Sequence, residues 1–317
     1  MPVNPLRGWA LGVEIYAQAA LPAGSPSLDF GHQKAAGLGF MQIRLVPWAI
    51  ASALACAPPA VIAQELAMGP AIVLPVLPSA PPTLSPECRS KRIVGEMFRR
   101  PLKALSRAVR ANKIVKVLAI GSSSTVGVGA SSPAATYVAN LETTLEGSFK
   151  GMNFDVIGRG MSGEVAQGAA DRMKREVEET KPDLVVWQVG TNDAIRHVSI
   201  DSFKACLKRT LAWLAENRID VVLIDPQYGA ALTKDDYYEL VVTAIAEVAR
   251  ESRVLLVDRF EAMRELQKDR GDTFYLASDN LHLNDRGHRC MAEQLARAIV
   301  GGLLQADAES EQPVFYP

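Results

Sequence analysis

The sequence predicts a three-layer α/β/α sandwich around five parallel strands. Three observations lead there. Short apolar runs recur from residue 115 onward, longer amphipathic segments separate them, and Gly, Ser or Asn-Asp turns follow the runs. Strands alternating with helices of this length imply βαβ units and a parallel sheet covered on both faces.

The elements follow in order. Val115–Gly121 is the first predicted strand, with a Gly/Ser turn and a helix near 134–148 behind it. Phe154–Ile157 is the second strand and 164–180 a charged helix. Leu184–Val189 is the third, ending at Gly190, before a helix over 201–217. Val221–Ile224 is the fourth, closed by Asp225-Pro226 and followed by a helix over 236–250. Val254–Val257 is the fifth, and the pattern ends on a helix from about Asp285 to Leu304. This places a single α/β domain over 114–306, with a tail at 307–317.

The N-terminal third is organised differently. Residues 1–40 show no period of 2 or 3.6 and are expected to be a non-native extension. Residues 41–63 have the layout of a secretory signal: Met41, basic Arg44, an apolar run from Leu45 to Ala57, and small residues around Val61-Ile62-Ala63. Export to the periplasm or medium is therefore expected, with a mature chain starting near Gln64. Residues 64–113 read as a Pro-rich linker and a basic helix. Pro70, Pro75, Pro78, Pro81, Pro82 and Pro86 exclude a helix interior. The stretch 88–113 carries nine Lys or Arg against Glu96 alone, a solvated basic helix that could also give weak association with an anionic envelope.

Composition narrows the function classes. A net charge of −1 and a pI near 6.5 give no footprint for nucleic acid. Cys56, Cys88, Cys206 and Cys290 form no CxxC pair or zinc-finger spacing, so no structural metal is expected. Cys206 and Cys290 both fall on predicted helices. A bridge between them is conceivable, but no essential disulfide is expected. Gly121, Gly127 and Gly129 miss the dinucleotide fingerprint, and no Gly-x-x-x-x-Gly-Lys-(Ser/Thr) loop is present.

In a parallel sheet, function collects past the carboxyl ends of the strands. There the sequence puts Gly121-Ser122-Ser123-Ser124-Thr125 after the first strand and Gly158-Arg159-Gly160-Met161-Ser162-Gly163-Glu164 after the second. Gly190-Thr191-Asn192-Asp193 follows the third, and Asp279-Asn280-Leu281-His282 lies near the end. Together they supply a hydroxyl on a tight turn, backbone amides, a side-chain amide, and a carboxylate beside an imidazole. Acyl transfer needs that set.

This joint pattern resembles the SGNH (GDSL-like) hydrolase family over roughly 115–305. Gly121 to Thr125 aligns with that family's Gly-Asp-Ser-Leu-(Ser/Thr) block, Gly158 to Glu164 with Asn-x-x-x-Ser-Gly-(Asp/Glu), Gly190 to Asp193 with Gly-x-Asn-Asp, and Asp279 to His282 with Asp-x-x-His. The resemblance implies a flavodoxin-like fold and a serine esterase with Ser123 as nucleophile, His282 as base and Asp279 as its orienter. It implies oxyanion donors at the amides of Ser123 and Gly163 and the side chain of Asn192. It implies no metal or organic cofactor, and a small-molecule or carbohydrate-linked acyl ester as substrate. An acyltransferase with the same triad, or a catalytically silent binding domain, would share these features. Two positions depart from the pattern: Ser122 stands where Asp is usual, and Gly158 where Asn is common. His288 is expected on the surface of the last helix, and His197 in a polar loop.

Overall fold

The computed structural model describes residues 77–89, 100–111 and 114–310. The expected extension at 1–40, the signal at 41–63 and the basic residues 90–99 lie outside the described residues.

Five strands form one sheet: β1 (Val115–Gly121), β2 (Phe154–Gly160), β3 (Leu184–Gln188), β4 (Asp220–Ile224) and β5 (Leu255–Val257). All neighbours pair in parallel, in the order β2-β1-β3-β4-β5. The chain leaves β1 towards one edge and returns to its other side for β3. This creates a topological switch point between β1 and β3, where such sheets bind ligands.

Alternation along the strands builds two cores. Val115, Val117 and Ala119 face one side, under α1 (Lys103–Arg110), α3 (Tyr137–Ser148) and α9 (Asp285–Ser310). Leu118 and Ile120 face the other, under α4 (Ala166–Thr180), α6 (Ile200–Glu216) and α7 (Asp236–Glu251). β3 is buried along its whole length, as a central strand of a two-sided sheet must be. The helices show why they form. In α7 Val241, Ala244, Ile245 and Val248 recur at three- and four-residue spacing, and the Asp235 carboxylate caps the first turn by accepting from the Tyr237 N–H. Two short helices, α2 (Ser123–Val126) and α5 (Thr191–Ile195), sit directly at strand ends, and α8 (Arg259–Arg270) follows β5.

Three expectations change. The Pro-rich stretch is extended where described, but it is a strap rather than a free spacer. Leu77 and Leu84 pack on the core, Glu293 of α9 accepts from the Ser85 N–H and hydroxyl, and Arg297 donates to the Pro82 carbonyl. Within the basic segment, α1 buries Leu105, Ala108 and Val109, so it is a packed helix with only one solvated side. The strap ends in a disulfide between Cys88 and Cys290, with Cα atoms 5.1 Å apart. A Cys206–Cys290 bridge is impossible, because α6 and α9 cover opposite faces of the sheet. Cys206 is free and buried. The last helix also runs to Ser310, past the expected end, and Asp307 accepts from the Ser106 hydroxyl of α1.

Candidate active site

Ser123 is the first residue of α2, immediately past the carboxyl end of β1. A helix leaves its first amides without intrahelical acceptors, and the Ser123 N–H is one of these. The Ser123 Oγ lies 3.0 Å from His282 Nε2. His282 Nδ1 lies 2.6 Å from Asp279 Oδ2. The pairing assigns the imidazole proton to Nδ1, which leaves Nε2 to accept from the serine.

The carboxylate is held from several directions. Asp279 Oδ1 accepts from the N–H groups of Leu281 and His282, both at 3.0 Å. Burial would raise this carboxyl. The imidazole bond and these two amides outweigh it and bring the group down to about 2. The loop itself closes on an Ala277 N–H bond to the His282 carbonyl and a bridge between Leu276 and Leu283. Gly129, at φ +90°, lets the β1 side approach it. A Cβ there would stand 2.2 Å from the Leu283 carbonyl oxygen and 3.1 Å from the His282 Cβ.

The expected oxyanion donors come from the next two strand ends. Gly163 has φ +76°, a left-handed conformation that suits glycine, and it ends a turn in which the Glu164 N–H donates to the Met161 carbonyl. Asn192 Nδ2 donates to the Glu164 carbonyl at 2.9 Å. One amide hydrogen thus ties Asn192 to the Gly163 turn, and the other remains for a ligand. Asp193 is 1% exposed, and both of its oxygens accept from the Ala166 N–H at the start of α4. Burial dominates here and lifts this carboxyl to about 6, against the opposing effect of amides including Ala166 and of Arg196.

Several supports were not foreseen. Gln188 Oε1 accepts from both the N–H and the hydroxyl of Ser122, at 3.1 and 3.2 Å. Ser122 therefore has a structural partner at the position where Asp is usual. Arg172 of α4 grips Glu164 with two bonds, 2.9 and 2.7 Å, and also donates to the carbonyls of Arg159 and Gly121. One guanidinium thus ties together the ends of β1 and β2 and the Gly163 turn. Gln227 accepts from Thr191 and Arg259 while donating to the Leu281 carbonyl, so it joins the Asn192 helix to the histidine loop. A charged residue on the buried side of α4, beside Ala169, Met173 and Val177, was the available signal for Arg172.

The two remaining histidines divide. His197 is exposed and bonds Asp235 at 2.6 Å. His288 is fully buried, contrary to the surface position expected. Its Nδ1 accepts from the Tyr137 N–H and its Nε2 faces the Val128 carbonyl, which fixes a neutral tautomer, and burial lowers its basicity. It ties α9 to the start of α3 and to the segment that follows α2.

Fold and site together define a hydrolase of the SGNH class, acting on carboxylic esters. Residues 87–305 match the model of the non-GDSL lipase-like family, and the chain belongs to that family. The absence of Asp at Ser122 fits that name. An acetylxylan esterase from Geobacillus stearothermophilus is 29% identical over 182 residues, covering 51% of this chain and 80% of that protein. A solved structure of an acetyl xylan esterase variant from the same organism has a TM-score of 0.51 and 24% identity, over 58% of this chain and 94% of that one. A two-domain esterase active on acetylated mannans has a TM-score of 0.56 and 19% identity, over 69% of this chain and 58% of that one.

Proposed function

We propose that the protein is an exported serine esterase that removes acetyl or other small acyl groups from carbohydrate. The observation that carries this reading is the relay Asp279–His282–Ser123, with links of 2.6 and 3.0 Å. Ser123 Oγ attacks the ester carbonyl carbon while His282 Nε2 takes the hydroxyl proton. The carbonyl oxygen becomes an oxyanion, stabilised by the amides of Ser123 and Gly163 and by the second amide hydrogen of Asn192. Collapse expels the sugar hydroxyl, which takes the proton from Nε2. Water then attacks the acyl-serine by the same route and releases the acid and the free serine. Asp279 holds the imidazole orientation and the charge it gains.

The carbohydrate assignment draws support from relatives that act on acetylated xylan and mannan. Val126, Met161 and Ile195 are exposed and lie within three residues of Ser123, Gly163 and Asn192, which supports a shallow apolar rim for a small acyl group. Export draws support from the signal-like 41–63 segment and from the Cys88–Cys290 bridge, since such bridges persist in oxidising compartments.

The test compares p-nitrophenyl esters of increasing chain length with acetylated xylan and mannan. Acetyl release should dominate, and Ser123→Ala should abolish it. Ser122→Ala and Ser124→Ala should each keep activity within about tenfold of wild type, the effect of one modest hydrogen bond. A fluorophosphonate should label Ser123 and no other serine. Labelling of Ser122 or Ser124, or turnover by Ser123→Ala, would refute the nucleophile.

A further inference from the structure

The amino-terminal edge of the sheet, opposite the edge that carries Ser123, holds a cavity of about 320 Å3. Three separate parts of the chain bring cations to it. Arg100 lies just before α1 and Lys103 and Arg107 on it, Arg218 comes from the turn between α6 and β4, and Arg253 from the turn between α7 and β5. The one acid in the lining is Asp220, whose Oδ2 already accepts from the N–H groups of Ala104 and Leu105 at 2.7 and 2.9 Å. Lys103 pairs with Glu309 at 3.1 Å. Arg107 also lies within electrostatic reach of Asp220. Arg218 and Arg253 are exposed and, like Arg100, have no hydrogen-bonded acceptor among the described residues, and the Arg100 Nε is buried without a partner among them.

Ordinary structural roles account for part of this. Arg218 and Arg253 follow the ends of α6 and α7, where cations complement the helix dipole. Yet both sit at positive φ, 58° and 56°, at a position where helices favour glycine. Arg100 and Lys103 stand at the amino end of α1, where the dipole disfavours a cation. Like charges around a partly enclosed space repel, and a buried donor without an acceptor is rare in native proteins. Among the described residues Asp220 alone faces this cluster in the lining, and a further anion would account for these features together.

We propose that this cavity binds a phosphate-bearing ligand, a second site independent of the ester chemistry. Guanidinium forks match phosphate oxygens two at a time. A phosphate monoester or diphosphate carries enough charge for this cluster of arginines, whereas a single carboxylate does not. The volume suits a phosphate together with part of the group that bears it. The phosphate could be free in solution or belong to a lipid headgroup.

Calorimetry on the full chain with inorganic pyrophosphate at low salt tests the site, alongside sedimentation with vesicles containing phosphatidic acid, a lipid-borne phosphate monoester, and with vesicles of phosphatidylcholine alone. Arg218→Asn/Arg253→Asn removes two cations and places a residue that tolerates the left-handed backbone, so the fold should be kept. Arg100→Gln/Arg107→Gln removes two more from the opposite wall. Pyrophosphate should bind, and each double variant should weaken it at least about tenfold, the loss of one or more charged hydrogen bonds. Hydrolysis of p-nitrophenyl acetate should be unchanged in both. Selective binding to phosphatidic acid vesicles, lost in the same variants, supports a lipid-borne phosphate. Pyrophosphate binding without vesicle binding supports a soluble one. Failure to bind either probe, or binding that survives undiminished in both variants, overturns the proposal.

Discussion

Asn192 and Asp193 are adjacent in sequence and do opposite electrostatic work. Asn192 offers one amide hydrogen to the Glu164 carbonyl, and in the proposed mechanism the other meets the substrate oxygen. Asn192→Ala should therefore lower kcat for acetyl esters by about a hundred- to a thousandfold, as expected for one missing oxyanion donor, with little change in melting temperature. Steady-state kinetics beside a thermal melt checks this; a loss seen only in KM would contradict it. Asp193 is buried, and its carboxyl titrates near 6 rather than 3.8. Between those values the folded chain holds more protons than the unfolded one, so this group's contribution to stability falls as pH rises through that window. Two units correspond to roughly 3 kcal/mol at most. Asp193→Asn cannot ionise and should have a flatter profile: relative to wild type it should gain stability between pH 4 and pH 7. Urea midpoints at the two pH values decide it, and an equal difference at both would refute the idea. Asp279 behaves in the opposite sense. Its carboxyl, held near 2, stays ionised throughout that range, so its contribution is present above about 4 and is lost only as pH falls through 2.

At the scale of elements, α4 decides how well the site is assembled. Arg172 is buried, and its guanidinium holds Glu164, Arg159 and Gly121 at once. Arg172→Met would strand the Glu164 carboxylate, at a cost of about 3–5 kcal/mol for a broken buried pair. Because the Gly163 turn hangs on Glu164, kcat should fall further than KM rises. Arg172→Lys keeps the charge and loses the two-pronged grip, and should fall between the two. Arg172→Met/Glu164→Leu should recover part of the stability and little of the kcat, since the turn stays unanchored. An unchanged kcat in folded Arg172→Met would reduce Arg172 to a packing role. The same element shows what sequence could and could not convey. The five strands were legible as apolar runs. β4 gained only Asp220, whereas β2 ran three residues longer, because the polar Gly158–Gly160 stretch continues its ladder against Ala119 to Gly121. The helices α2 and α5 were hidden, since four or five residues cannot display a 3.6-residue period. Helix α8 was hidden because Arg259 and Gln267 interrupt its buried side. The proposed reacting groups could be nominated from sequence because each sits in a short local block, and the structure brings Ser123, His282 and Asp279 within hydrogen-bonding distance. Their supports could not be nominated: Gln188 meets Ser122 66 positions away, and Gln227 meets Leu281 54 away. A lone polar residue with a remote partner leaves no local pattern.

At the scale of the whole molecule, the strap and the last helix form a brace that the parallel sheet alone would lack. The Cys88–Cys290 bridge closes a loop of 202 residues, nearly the whole α/β domain. Beside it the Glu87 carbonyl accepts from the Tyr275 hydroxyl and from Arg270, and the Glu87 side chain pairs with Arg289. The bridge therefore fixes the strap to α8, to α9 and to the segment that leads into the Asp279–His282 loop. Cross-linking so long a loop restricts the unfolded chain strongly, and its loss should cost roughly 2–5 kcal/mol. For a domain of this size that lowers the melting temperature by several degrees or more. Dithiothreitol, and separately Cys88→Ser/Cys290→Ser, should produce the same drop, and reductant should have no further effect on the double variant. Hydrolysis of p-nitrophenyl acetate well below the new midpoint should persist, because no member of the Ser123–His282–Asp279 relay bonds the strap directly. Chain matured in an oxidising compartment should therefore outlast the same chain made under reducing conditions when both are warmed. Equal urea midpoints for the oxidised and reduced protein would show that the packing of Leu77, Leu84 and Ser85 holds the strap without the bridge.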